Sequence, residues 1–305
     1  MKLLASLAVL LALGQGGRTL FEDKNGQIRV SNYTTAEGGV EESGEFSFQM
    51  EGKPALVESL LDGLSIAGPK MSGAVTPGTD KSKGFINRLD VTGNVKLTLD
   101  SEVRFNATNA QLKRQGKPEM VKSASKEVMD LLTAQLNYRG GAEQGVFTVP
   151  ETFMIRSVSD DVSETKVKDK QTLTTIHEEF VVNGRSGVFG LNPGAKGLGR
   201  LESGEIKGPV KLEMVRTEKL PEPAKPELTK LSGTADSITF DLKTSRTITL
   251  KGNIRIEGEN GLYRGSSEGD MAVITLDENF KPVKIRITGD PTKGTVQDKR
   301  GGGKQ

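Results

Sequence analysis

The sequence predicts an all-β protein of antiparallel strands, and three features carry that expectation. Apolar and polar residues alternate wherever a pattern is present, which places successive side chains on opposite faces of a strand. Glycine is abundant, 37 of 305 residues, and is dispersed among Thr, Val, Ile and Lys without the strict triplet period of a collagen. Gly-Asn, Asn-Gly and Asp-Glu-Asn clusters recur at short intervals, as tight turns between neighbouring strands require.

Taken in chain order, the first element is an export signal. Met1-Lys2 precedes residues 3–13, which are apolar apart from Ser6, and Ala12-Leu13-Gly14 supplies small residues for cleavage before Gln15. The stretch is too short for a membrane-spanning helix. Residues 1–14 are therefore expected to leave a periplasmic protein. Strands follow at Phe46-Phe48-Met50, at Val95-Leu97-Leu99 and at Val103-Phe105-Ala107, each apolar residue alternating with a polar one. Residues 118–132 open on Pro118 and bring Met120, Ala124, Val128 and Leu131 near helical spacing, so one short helix is expected there. Residues 159–171 are charged and rich in Ser and Thr, and read as a solvated loop or hairpin.

Pro221, Pro223 and Pro226 lack the N–H that a strand ladder needs, so residues 219–227 read as a linker or crossover. It divides a β-rich region, 15–218, from a compact unit, 228–291. That unit alternates at Ile238-Phe240-Leu242, Ile248-Leu250, Ile254-Ile256, Ile274-Leu276 and Val283-Ile285-Ile287. Residues 292–305, ending Gly-Gly-Gly-Lys-Gln, read as a disordered basic tail. One unit also recurs: Gly93-Asn94-Val95 matches Gly252-Asn253-Ile254 within similar alternating flanks, with a fainter echo at Gly204-Glu-Ile-Lys-Gly-Pro-Val-Lys-Leu212. In each, glycine lets one strand corner into the next without a long loop.

Composition excludes several function classes. With 42 basic and 40 acidic side chains, no bulk charge favours nucleic acid. The absence of cysteine removes disulfides, thiolate metal sites and cysteine nucleophiles. His177 is the single histidine, so a His-rich zinc site is impossible. Adjacent acids such as Asp160-Asp161, Glu178-Glu179 and Glu41-Glu42 point to opposite faces of a strand and cannot share a site. No enzyme activity and no cofactor are expected.

Three segments carry a family resemblance: residues 235–244 (ADSITFDLKT), 248–258 (ITLKGNIRIEG) and 269–276 (GDMAVITL). Together they resemble one OstA-like unit, the repeat of the periplasmic lipopolysaccharide-transport bridge proteins. The resemblance is clearest over residues 231–290 and extends to 85–110. It implies a β-jellyroll, a folded-over stack of antiparallel strands around an apolar groove that holds acyl chains and passes them towards the outer membrane. Its implied partners are lipopolysaccharide or another multi-acyl lipid, and other OstA-like proteins joined through edge strands; the same edges would permit a homo-oligomer.

On this reading the lipid-binding residues are Phe240, Leu250, Ile254, Ile256, Ile274 and Ile285 in the C-terminal unit, with Leu97, Leu99 and Phe105 as their N-terminal counterparts. Lys251, Arg255, Arg264, Lys96 and Arg104 alternate with these and fall mostly on the outer, solvated face. Two other classes compete with lipid transport: a structural or adhesive scaffold with a closed core, binding polysaccharide or protein, and a β-solenoid carbohydrate enzyme. Bound lipid separates the first reading from both.

Overall fold

The computed structural model describes residues 18–298 apart from 24, 80–81, 121–124, 142–143, 168–169, 193–200, 220–225, 261–262, 279–281 and 291. The signal segment 1–14 lies outside the described residues. The protein is all-β and jellyroll-like; among the described residues every strand belongs to one antiparallel sheet, accompanied by one α-helix. The first strands are β1 (Thr19–Glu22), β2 (Ile28–Val40), β3 (Phe46–Ser59), β4 (Leu64–Thr76) and β5 (Phe85–Asp100). Helix α1 (Ser101–Arg114) is followed by β6 (Lys126–Gly140), β7 (Gly145–Val149), β8 (Phe153–Val167), β9 (Lys170–Gly184) and β10 (Ser186–Leu191). The chain finishes with β11 (Leu201–Lys219), β12 (Glu227–Asp241), β13 (Thr247–Glu259), β14 (Tyr263–Leu276), β15 (Pro282–Thr288) and β16 (Lys293–Asp298).

A line of corners crosses the sheet. Register slips between Ser31 and Thr35 in β2, Glu51 and Ala55 in β3, Ala67 and Lys70 in β4, and Thr92 and Val95 in β5. It slips again between Lys207 and Val210 in β11, Thr234 and Ser237 in β12, and Lys251 and Ile254 in β13. On the same line β6 changes partner from β8 to β7, β11 from β9 to β10, and β14 from β16 to β15. Each of β2–β6 and β11–β14 thus has two halves, whereas β8 and β9 keep one register throughout, and side chains from opposite layers meet. Phe21 of β1 stacks on Phe46 of β3 at 4.4 Å, and Phe153 of β8 meets Phe189 of β10 edge-on at 5.4 Å. The sheet is folded along the corners into two layers around a single apolar core.

The corners explain the recurring sequence unit. Gly93 and Gly252 have φ of 98° and 72°, and Asn253 and Asn32 have φ of 46° and 63°. Glycine reaches this region without steric cost, and asparagine tolerates it better than most residues. Space is also restricted there: a Cβ on Gly93 would sit 2.2 Å from Pro69 Cγ, and one on Gly252 would sit 2.2 Å from Asp236 Oδ2. Asn253 Nδ2 donates to Asp236 Oδ2 at 2.9 Å, and Asn32 Nδ2 donates to the Pro54 carbonyl at 2.8 Å. Gly93-Asn94, Gly208-Pro209 and Gly252-Asn253 all occupy this seam.

Several expectations need correction. Val103-Phe105-Ala107 is not a strand but part of α1. Asp100 caps that helix by accepting from the N–H groups of Glu102 (2.7 Å) and Val103 (3.2 Å). Lys113 and Arg114 occupy its last turn, and Gly116 at φ 67° ends it. Lys117 N–H donates to the Leu112 carbonyl and Gly116 N–H to Lys113, a closed C-terminal motif. The helix expected over 118–132 is absent from residues 126–132, which belong to β6. There Met129 and Leu131 are buried and Val128 and Leu132 exposed, a period of two.

Of residues 159–171, 159–167 lie in β8 and 170–171 in β9, which pair as a hairpin; 168–169 lie outside the described residues. The strands flanking the proline-rich segment pair with each other from Glu218↔Glu227 to Ser203↔Asp241, so residues 228–291 continue the same sheet. Within the expected tail, Lys293–Asp298 form β16 against β14.

Candidate functional site

The corner line forces alternate residues of every strand to face the interior, and the registers join them into rows. One row crosses the first layer as Leu89, Tyr138, Phe147, Phe189, Gly204, Phe240, Ile248, Ile274 and Ile285. The facing layer carries Leu97, Leu131, Ile155, Val182, Leu212, Gly233, Ile256, Ser267 and Gly294. Beside it runs Leu99, Met129, Ser157, Phe180, Met214, Leu231, Gly258, Gly265 and Val296.

These rows change character along the molecule. At the β1–β6 end, leucine, isoleucine and aromatic side chains face one another and are buried. Towards β16 the first layer remains aliphatic, while the facing layer thins to Gly258, Gly265, Ser267 and Gly294. The interior consequently opens: Ile285 is 48% exposed, Val283 63% and Val296 81%, although Ile285 and Val296 lie on inward-facing rows. Phe240, Ile248, Ile256, Leu231 and Ile287 are only partly buried against the core.

Of the nine residues expected to hold lipid, eight share this interior. Leu97, Leu99, Leu250, Ile254 and Ile274 are packed core, with Ile254 only 2% exposed. Phe240 and Ile256 are partly buried, and Ile285 stands at the open end. Phe105 does not join them: it is half-buried on α1, at the rim of the fold. Val296 was not anticipated, because a single valine within Lys-Gly-Thr-Val-Gln-Asp gives no alternation to read. Phe147 and Phe189, which share a row with Phe240, were not anticipated either; their signal was the alternation in 145–149 and 186–191.

Polar residues bound the apolar rows away from the corners. Glu178 and Arg216 are register partners facing inward, next to Ser159 and Thr229. The Arg216 guanidinium lies 3.8 Å from Glu178 and 3.4 Å from Glu218. The neighbouring Glu179 points outward to Arg156 at 2.7 Å, as alternation requires. His177 is also on the outer face, 2.8 Å from Asp160. The outward basic residues are largely engaged: Lys96 with Asp130 at 3.0 Å, and Arg255 with Glu257 at 2.7 Å and Glu268 at 3.7 Å.

The arrangement offers an aliphatic surface open at one end and rimmed by ion pairs. Such a surface suits the sequestration of hydrocarbon. No family model matches the chain, and comparison with curated proteins and with solved structures likewise finds no match.

Proposed function

We propose that this protein binds lipopolysaccharide or a similar multi-acyl lipid between its two β layers and takes part in transporting it to the outer membrane. The observation that carries the reading is the exposure gradient along the inward row, from buried Leu89 and Phe147 to half-exposed Ile285. An acyl chain laid along Phe240, Ile248, Ile285 and Ile287 would complete their burial. Each methylene removed from water contributes about 0.8 kcal/mol, so several chains bind without any covalent chemistry.

The signal-like residues 1–14 support a periplasmic site of action. The edge strands support association with related β proteins: residues 35–40 of β2 bound one layer, and β15 bounds it at the far side. The fully buried β3–β6 interior favours a second reading, a closed scaffold that binds polysaccharide or protein.

Native mass spectrometry of the protein purified from its host's periplasm, followed by lipid extraction, tests the choice. Stoichiometric lipid with several acyl chains is the expected result. A lipid-free protein that also fails to take up added lipopolysaccharide would overturn lipid binding and leave the scaffold.

A further inference from the structure

The two ends of the folded sheet differ in more than packing. Opposite the open β14–β16 end, polar groups tie the rim of one layer to the rim of the other. The β4–β5 connection, which includes Gly78, Lys83 and Gly84, belongs to the layer that contains Phe46. The β1–β2 turn, with Asp23 and Gln27, and the β3–β4 turn, with Ser59 and Asp62, belong to the facing layer.

Gly78 N–H donates to Asp23 Oδ2 at 2.9 Å, and Gly84 N–H donates to Gln27 Oε1 at 3.2 Å. Lys83 Nζ pairs with Asp62 Oδ1, while Ser59 Oγ donates to Asp62 Oδ2 at 2.6 Å. Asp23 Oδ1 also accepts from Gln27 N–H at 2.6 Å, and Leu60 N–H donates to the Gln27 carbonyl at 2.8 Å. Asp23, Gln27, Ser59 and Asp62 are all buried. Buried polar groups satisfied across two elements are costly to separate, because opening leaves each one unpaired. Helix α1 reinforces the same rim: Arg114 Nη1 donates to the Asn25 carbonyl at 2.6 Å, and Asp100 N–H donates to the Gly63 carbonyl at 2.8 Å.

Resting on the lipid reading above, we infer that this clasp makes the interior blind at the β1–β5 end, so that acyl chains enter and leave only at the β12–β16 end. A protein of this form takes lipid in and gives it up through the same mouth. It is a carrier that must dissociate from donor or acceptor, not a segment of a continuous conduit.

The test uses the full mature chain, isoleucine methyl NMR and 16-doxyl-stearic acid as a paramagnetic acyl probe. The expected result is loss of the Ile285, Ile287, Ile256 and Ile248 signals while Ile28, Ile66 and Ile86 remain sharp. Equal loss at both ends overturns the blind end but leaves lipid binding standing. Loss at neither end removes lipid binding and this inference with it. Asp62→Ala is expected to spread the loss to Ile28 and Ile66. A variant with native methyl dispersion in which those two stay sharp shows that the clasp is not what closes this end. Should Asp62→Ala fail to fold, the wild-type pattern alone decides.

Discussion

Aspartate substitutions at Ile254 and Ile285 separate the packed interior from its open end. Ile254 is 2% exposed, so Ile254→Asp buries a carboxylate without a partner and is expected to destabilise by about 3–5 kcal/mol in urea unfolding. Ile285→Asp keeps the charge in water, and its unfolding free energy is expected to stay within about 0.5 kcal/mol of wild type. Its lipid occupancy by native mass spectrometry should nevertheless fall.

At the corners, Gly93→Ala and Gly252→Ala each combine an unfavourable φ with a Cβ only 2.2 Å from Pro69 or Asp236. A loss of about 1–3 kcal/mol is expected for each, against a near-neutral effect for Gly39→Ala, where a Cβ meets open space. Two carboxyls give opposite pH responses. Burial pushes the Glu58 carboxyl up, with Arg29 only partly offsetting it. Its folded form holds the proton more tightly, so this group's contribution weakens as pH rises through the carboxylate range. Glu58→Gln should therefore gain more stability at pH 7 than at pH 4. Asp241 is held below the usual range by N–H donors from Thr244 and Ser245 in the β12–β13 turn. The stability it provides is present at neutral pH and is lost on acidification, and a pH series of Asp241→Asn unfolding should show that dependence removed.

At the level of elements, helix α1 and strand β6 show where the sequence misleads. Residues 103–107 alternate like a strand, but the deciding information lies at the ends of the segment: Asp100 at the N-cap, Glu102 in the first turn, Lys113 and Arg114 in the last, and Gly116 beyond. Asp100→Ala should cost about 0.5–2 kcal/mol, measurable by urea titration, while Asp100→Asn keeps most of the cap. Across residues 118–132, Met120, Ala124, Val128 and Leu131 fall near helical spacing in the sequence, yet residues 126–132 belong to β6. The pairing of Leu97 with Leu131 and Leu99 with Met129 imposes the period of two, and those contacts lie across the sheet, where a local window cannot see them. Strands β12–β15 were legible because their aliphatic residues alternate and Asn, Asp and Gly fall between the runs, whereas β16 has no such alternation. The inward set was legible for the same reason, whereas its degree of burial was not. Whether Leu250 or Ile285 meets another side chain depends on what the facing layer supplies, and Gly258, Gly265 and Gly294 supply almost nothing.

For the molecule as a whole, packing predicts a gradient of local stability. Hydrogen exchange should be slowest in β3–β6, where both layers are filled, and fastest in β15 and β16, whose inward side chains lack cover. Saturating lipid should slow the C-terminal strands selectively if it occupies the open end. The topology has another outcome. Strands mostly pair with their sequence neighbours, and most hairpins repeat one bend at one corner line, so interactions propagate largely along a single coordinate. No distant segment has to be matched when such a bent hairpin is inserted or removed. Length is then a property that evolution can tune in whole-hairpin increments, and the capacity of the interior would scale with it.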